Sequence, residues 1–155
     1  MDPRTDYLTD EGRQRLEAEL HHLRTVRRVE IAERIREAKR EGDVSENAGY
    51  EDAKHEQGFV EGRIAEIEDL LKRAVRIQDD TDHDTVTVGS TVVISEPGEP
   101  TETYRIVGSA EADPLGGMIS NECPMGMALL GKRVGDKAAF ETPAGTVEVS
   151  ILAIK

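Results

Sequence analysis

From Thr9 to Gly42 apolar residues recur every three or four positions: Leu16, Leu20 and Leu23, then Ile31, Ile35 and Ala38. That spacing returns side chains to one face of an α-helix and predicts a helix of roughly thirty residues. Thr9-Asp10-Glu11 predicts its start, a hydroxyl cap followed by acids that complement the helix dipole. Leu8, just before the cap, is placed to pack back as a hydrophobic staple. Gly42 is the expected residue past the end. Arg27 falls where an apolar residue would continue the register. No Pro or Gly interrupts the stretch between Gly12 and Gly42, so this reads as a stutter and not a break.

A second stripe is cleaner. Ala53, Gln57, Val60, Ile64, Ile67, Leu71 and Ala74 alternate by four and three, a heptad seam, while Glu51, Asp52, Lys54, Glu56, Glu61, Arg63, Glu66, Glu68 and Asp69 make a solvated face. Two seams joined by a few residues pair antiparallel, which predicts an intramolecular coiled-coil hairpin. A seam shared between two chains is the alternative.

After Ile77 the run Gln78 to Asp84 is polar and aperiodic, a linker. Beyond it short β-branched runs alternate with turn residues. Strands are predicted at Thr91 to Ile94, Tyr104 to Val107, Met118 to Ser120, Ala138 to Glu141 and Thr146 to Ile154, the last two joined by Pro143-Ala144-Gly145. Met125 to Leu130 reads as a short helical turn ended by Gly131. The expected class is α+β, with residues 1–79 an antiparallel coiled-coil hairpin and residues 80–155 a small antiparallel β domain with a short helix.

Composition agrees with two parts. Of 155 residues 34% are charged and 3% aromatic, with no Trp, which leaves little bulk for one large core. A net charge of −12 excludes a non-specific grip on a phosphate backbone, though not a local basic patch. The lone Cys123 forms no internal disulfide and has no zinc-type neighbours; a small buried hydrophobe beside Pro124 is expected. The four histidines lack ligand spacing. Met1-Asp2-Pro3-Arg4 has no signal-peptide character, and no apolar run spans a bilayer, so a cytoplasmic protein without membrane contact is expected.

The candidate chemistry lies in Gly42-Asp43-Val44-Ser45-Glu46-Asn47, between the two helical patterns. If the second helix begins at Asp43, Asp43 and Glu46 rise from one face with about 5–6 Å between Cβ atoms. Two such carboxylates can hold Mg²⁺, but only weakly, because the ion wants six oxygens. The pair becomes effective if it completes a partner's site. The same spacing is also a capping box, with Asp43 capping the helix and Glu46 reaching back, and spacing alone favours that reading. Arg36, Lys39, Arg40 and Lys54 fall just behind this turn. They could contact phosphates, or form a solvated face partnered by Glu37, Glu41 and Asp43.

The run Gly42-Asp43-Val44-Ser45-Glu46-Asn47-Ala48-Gly49-Tyr50, with Ala53-Lys54 and Glu56 to Ile64, closely resembles the GreA/GreB transcript-cleavage factors. So do the opening Leu8-Thr9-x-Glu11-Gly12 and, further on, Pro124-Met125-Gly126-x-Ala128-Leu129-Leu130-Gly131-Lys132 with Thr142-Pro143-Ala144-Gly145. The resemblance covers nearly the whole chain. It implies a coiled-coil hairpin, an FKBP-like C-terminal domain, and bacterial RNA polymerase as partner. That domain would dock at the rim of the secondary channel through Pro124, Met125, Gly126, Leu129, Leu130 and Gly131 while the hairpin reaches inward. Asp43 and Glu46 match the family's tip acids, which help hold a Mg²⁺ shared with the polymerase. Arg36, Lys39, Arg40 and Lys54 correspond more loosely to its basic patch near the nascent RNA 3′ end. The factor would be a monomer without catalysis of its own, stimulating cleavage of backtracked RNA. The chain departs at Gly49, where an acid is common, and at Cys123, where Ser is frequent. The moderate basic patch points to a GreA-like rather than GreB-like factor.

Three other readings compete: a paralogue that occupies the same channel and inhibits, a prolyl isomerase, and a coiled-coil holdase. The GD-x-x-EN run disfavours the first. The second needs clustered aromatics, and the C-terminal half offers only Tyr104 and Phe140. The third needs an exposed apolar groove.

Overall fold

A computed structural model describes residues 5–42, 48–77 and 83–155. Its elements run β1 (Tyr7–Leu8), α1 (Asp10–His22), a π-helical turn (Leu23–Arg27), α2 (Arg28–Arg40), α3 (Ala48–Arg73), β2 (Val75–Arg76), β3 (Thr91–Ser95), β4 (Glu102–Val107), β5 (Met118–Ser120), α4 (Pro124–Leu129), β6 (Lys137–Thr142) and β7 (Gly145–Ile154). Two 3₁₀ turns, Ser109–Glu111 and Pro114–Gly116, lie between β4 and β5. No helix among the described residues is long and apolar enough to cross a membrane.

The chain divides into two compact units, Arg13–Arg73 and Met1–Gly12 with Ala74–Lys155. In the first, α2 packs on α3 as the two arms of a helical hairpin. The stripe buries as its periodicity predicts: Leu16, Leu20, Ile31 and Ala38 on one arm, Ala53, Val60, Ile64 and Ile67 on the other. The seam is therefore closed within one chain, and the shared-seam alternative drops out. Near the base Leu70 is more deeply buried than the expected Leu71, both residues flanking the seam. Gly42 adopts φ +114°, as a residue past a helix end requires.

The second unit is a five-stranded sheet in the order β5-β4-β3-β7-β6. β3 runs antiparallel to β4 and β7, and β6 and β7 form an antiparallel hairpin whose turn has Gly145 at φ +122°. The expected all-antiparallel sheet is corrected at one edge, where β5 pairs parallel with β4 through Arg105↔Met118 and Ile106↔Ile119. The two 3₁₀ turns between β4 and β5 carry the chain back to the same end before β5 starts. Val86, Val92, Ile94, Ile106, Ile119, Leu129, Ala138, Val149, Ile151 and Ile154 form the core, closed on one side by α4.

The division expected at residues 79/80 differs from the one observed, because both ends of the hairpin sequence belong to the sheet unit. β1 pairs parallel with β2, with Ile77 N–H donating to the Leu8 carbonyl at 2.8 Å. Thr9 caps α1 as predicted, its Oγ1 accepting from Gly12 N–H at 3.0 Å. The buried carboxylate of Glu111 in turn accepts from Thr9 N–H at 2.7 Å and from Thr9 Oγ1.

Candidate functional site

The hairpin is laced by arginine–glutamate pairs between its arms. As the number of the first partner falls, that of the second rises: Arg34 meets Glu56, Arg28 meets Glu61 and Arg24 meets Glu68, as antiparallel arms demand. Arg28 grips Glu61 through Nε and Nη2 at 2.7 and 2.8 Å, and Arg63 grips Glu19 the same way at 2.7 and 3.0 Å. These forked hydrogen bonds favour the ionised form, so Glu19 and Glu61 lie below the ordinary glutamate range, while Arg28 and Arg63 are raised. Arg27 holds Glu56 across the seam and Glu30 along its own helix. The mid-hairpin arginines are thus neutralised one by one.

Towards the end of the arms this pattern stops. Arg36, Lys39 and Arg40, in the last turns of α2, are exposed, as is Lys54 near the start of α3. Lys54 Nζ donates to Gln57 Oε1 at 3.1 Å. Among the described residues none of the four forms an ion pair, and the partnerships weighed with Glu37 and Glu41 are not made. Spacings of three and four put Arg36, Lys39 and Arg40 on one side of α2, whereas Glu37 and Glu41 share another. Arg34 pairs with Glu56, so the antiparallel register brings Lys54 level with the distal part of α2. The structure therefore brings the four predicted cations to one end of the hairpin, interleaved with the exposed acids Glu37, Glu41, Glu51 and Asp52. Asp43 and Glu46 lie outside the described residues. The described ones contain no cluster of three or more His, Cys, Asp or Glu able to hold a metal.

In the sheet unit the expected docking residues separate by burial. Leu129 is 0% exposed and belongs to the core. Gly126 is packed so closely on the Ser120 carbonyl that a Cβ would collide with it. Both therefore shape α4 from its buried side. Pro124 and Gly131 are exposed, Met125 and Leu130 half-buried, and Met127, beside them on α4, is 54% exposed. Cys123 is half-buried rather than buried; its Sγ accepts from Gly126 N–H at 3.2 Å and caps α4. Beside Met125 is a cavity of about 160 Å³ floored by Ile94, Phe140, Val147 and Val149 and rimmed by Glu96, Glu99 and Glu102. Ligand pockets usually run to about 300–1,000 Å³ and are rich in aromatics, so a cavity with one phenylalanine is a poor prolyl-isomerase site.

Residues 6–75 match the family model described as transcription elongation factor, N-terminal, and residues 81–155 match that of the GreA/GreB C-terminal region. The chain belongs to the GreA/GreB transcription elongation factor family. The GreA of Bacillus anthracis is 50% identical over 150 residues, covering 96% of this chain and 95% of that protein. That of Shouchella clausii is 50% identical over 151 residues, covering 96% of each. Among solved structures, the GreA factor homolog 1 of Thermus thermophilus is 35% identical, covers 98% of this chain and 99% of its own, and superposes with a TM-score of 0.45. GreA/GreB membership joins the hairpin and the sheet unit into one factor, matching the order in which the two patterns follow each other along the sequence.

Proposed function

We propose that this factor binds bacterial RNA polymerase through the secondary channel and stimulates the polymerase's own cleavage of backtracked RNA, which rescues arrested complexes. The observation that carries this reading is that Arg36, Lys39, Arg40 and Lys54 gather at one end of the hairpin without an ion pair among the described residues, while the mid-arm arginines are paired with glutamates. Arg36, Lys39, Arg40 and Lys54 are free to meet phosphates of the nascent RNA 3′ end, in a protein whose net charge of −12 disfavours general nucleic-acid binding. The residues that follow, Asp43 and Glu46, supply carboxylate oxygens. Two carboxylates fall short of the six oxygens Mg²⁺ requires, so the donor set fits an ion held mainly by the polymerase and shared with the factor. When bound, such an ion lowers the pKa of a water and steadies in-line displacement at phosphorus. The factor itself performs no chemistry.

Pro124, Met127 and the exposed part of Met125 offer the docking surface of the sheet unit. The factor acts as a monomer, since its seam is already filled. That closure also argues against a holdase. The test is Asp43→Asn combined with Glu46→Gln in stalled polymerase complexes. Cleavage should be lost and binding kept. Full activity in the double variant, or slower cleavage with the native protein as an inhibitor would give, ends the reading.

A further inference from the structure

Leu23 and Ile31 belong to the same seam but are one residue further apart than a heptad allows. Each residue turns an α-helix by about 100°, so an uncorrected insertion would swing Ile31 and everything beyond it off the partner arm. The π turn absorbs the extra residue: Arg28 N–H reaches back five positions to the Leu23 carbonyl, and Ile31 returns to the seam at 1% exposed. Nothing in the backbone pattern alone fixes where along the arm this extra residue must sit. Arg27 occupies the slot where other heptads carry an apolar side chain. There it holds Glu56 of α3, with side chains 34% and 31% exposed. Glu56 also takes Arg34, one helical stretch nearer the free cations, and Arg27 also takes Glu30 at 2.8 Å.

Half-exposed ion pairs stabilise little, so stability does not account for an arginine in a seam. A polar residue at such a position specifies register instead. We infer that Arg27, through Glu56 and Arg34, is a positioning residue: it pins the π turn and so fixes the rotation and height at which Arg36, Lys39 and Arg40 are presented. Slippage by one residue moves the distal arm by about 1.5 Å and turns it by about 100°. The consequence for cleavage rests on the function proposed above; the consequence for register does not.

The two are tested separately on the full-length chain. Spin labels at Glu37→Cys and Glu51→Cys, both exposed positions, in a Cys123→Ser background report the distance across the distal arms. Native Arg27 should give one narrow distance. Arg27→Leu should add a second distance, or shift the first by about 3 Å or more, as a 100° swing around a helix about 10 Å wide requires. Glu56→Gln should act likewise, and Arg27→Lys should keep the native distance. In stalled polymerase complexes without labels, Arg27→Leu should lower the maximal cleavage rate at least tenfold and leave the half-saturating concentration within twofold, with Arg27→Lys recovering most of the rate. An Arg27→Leu distance distribution that superimposes on the native one overturns the inference. So does loss of helicity at 222 nm in that variant, since the pair would then serve stability. Shifted distances alongside an active Asp43→Asn, Glu46→Gln variant would leave the register device standing and remove only the cleavage reading.

Discussion

Replacing Glu111 by alanine tests the join between distant parts of the sheet unit. Its carboxylate accepts from both Thr9 N–H and Thr9 Oγ1, and Thr9 and Glu111 are 4% and 7% exposed. Water cannot easily replace what is removed. Each buried donor left without an acceptor costs about 1–3 kcal/mol, so Glu111→Ala should cost about 3–4 kcal/mol, and Glu111→Gln, which keeps one acceptor oxygen, about half that. In a domain of 60–100 residues each kcal/mol moves the melting point by about 4–8 °C, which makes the alanine shift about 12 °C or more. Because α1, α2 and α3 dominate far-UV dichroism, a local readout is needed. Hydrogen exchange at Val92, Ile106 and Ile151, all fully buried in the sheet core, reports global opening of this unit. Their exchange should accelerate on the order of a hundredfold in Glu111→Ala, a factor of ten for each 1.4 kcal/mol. Core exchange within threefold of the native rate would refute the argument that Glu111 ties the residues before α1 to the sheet.

Three further outcomes follow from the charge pattern and the packing. Changing Arg36, Lys39 and Arg40 together to alanine should leave the melting temperature within about 2 °C, because all three are exposed and among the described residues no ion pair is lost. The same triple variant should reduce stimulated cleavage and flatten its salt dependence; an unchanged salt profile would remove these residues from the site. Glu19 and Glu61 are held below the ordinary carboxyl value by Arg63 and Arg28, so their contribution is fully present above the unfolded value of about 4.3 and is lost as pH falls through the lower folded values. Hairpin melting should be flat above pH about 5 and fall by a few degrees towards pH about 3, less steeply in a Glu19→Gln, Glu61→Gln variant, since such exposed pairs contribute little. Gly126→Ala drives a Cβ into the Ser120 carbonyl and should cost the sheet unit about 1–3 kcal/mol in urea unfolding; a native midpoint would show that α4 can shift freely.

Periodicity made the hairpin readable because a heptad seam states its own partner: Ala53, Val60, Ile64 and Ile67 could be buried only by a stripe of matching period. Turn chemistry did the same for Gly42, Gly131 and Gly145, each at positive φ where a segment ends. The features that escaped are those without local signature. β1 and β2 have two residues each, too short for any period to show, and their pairing crosses the whole hairpin sequence. Glu111 acts on Thr9 across 102 residues, and nothing beside it in sequence announces that it turns inward. The parallel β4–β5 edge depends on how two 3₁₀ turns redirect the chain. Of the candidate site, the cations were readable by position. Their freedom was not, because it depends on which arginines find a glutamate on the other arm, a property of the register.

That register also explains why the site can differ from the rest of the arm without weakening it. A half-exposed arginine–glutamate pair contributes about 0–1 kcal/mol, so the lack of such pairs at Arg36, Lys39, Arg40 and Lys54 among the described residues costs the hairpin little. Its stability resides in the apolar seam, which continues through Ala38 and Ala53 beneath the free cations. Electrostatics is left available for another purpose at that end. The half with Arg24, Arg28 and Arg63 directs its charge inward against Glu68, Glu61 and Glu19. The distal half carries its cations outward, where a phosphate can gain charge-assisted hydrogen bonds and where, among the described residues, no glutamate is paired with them. A reversed distribution, with the pairs in the last turns of α2 and unpaired arginines at mid-arm, would have the same composition and comparable stability but present no unpaired cations at that end of the arms. The position of the free charge along the arm, rather than its amount, therefore links this hairpin to the chemistry proposed for it.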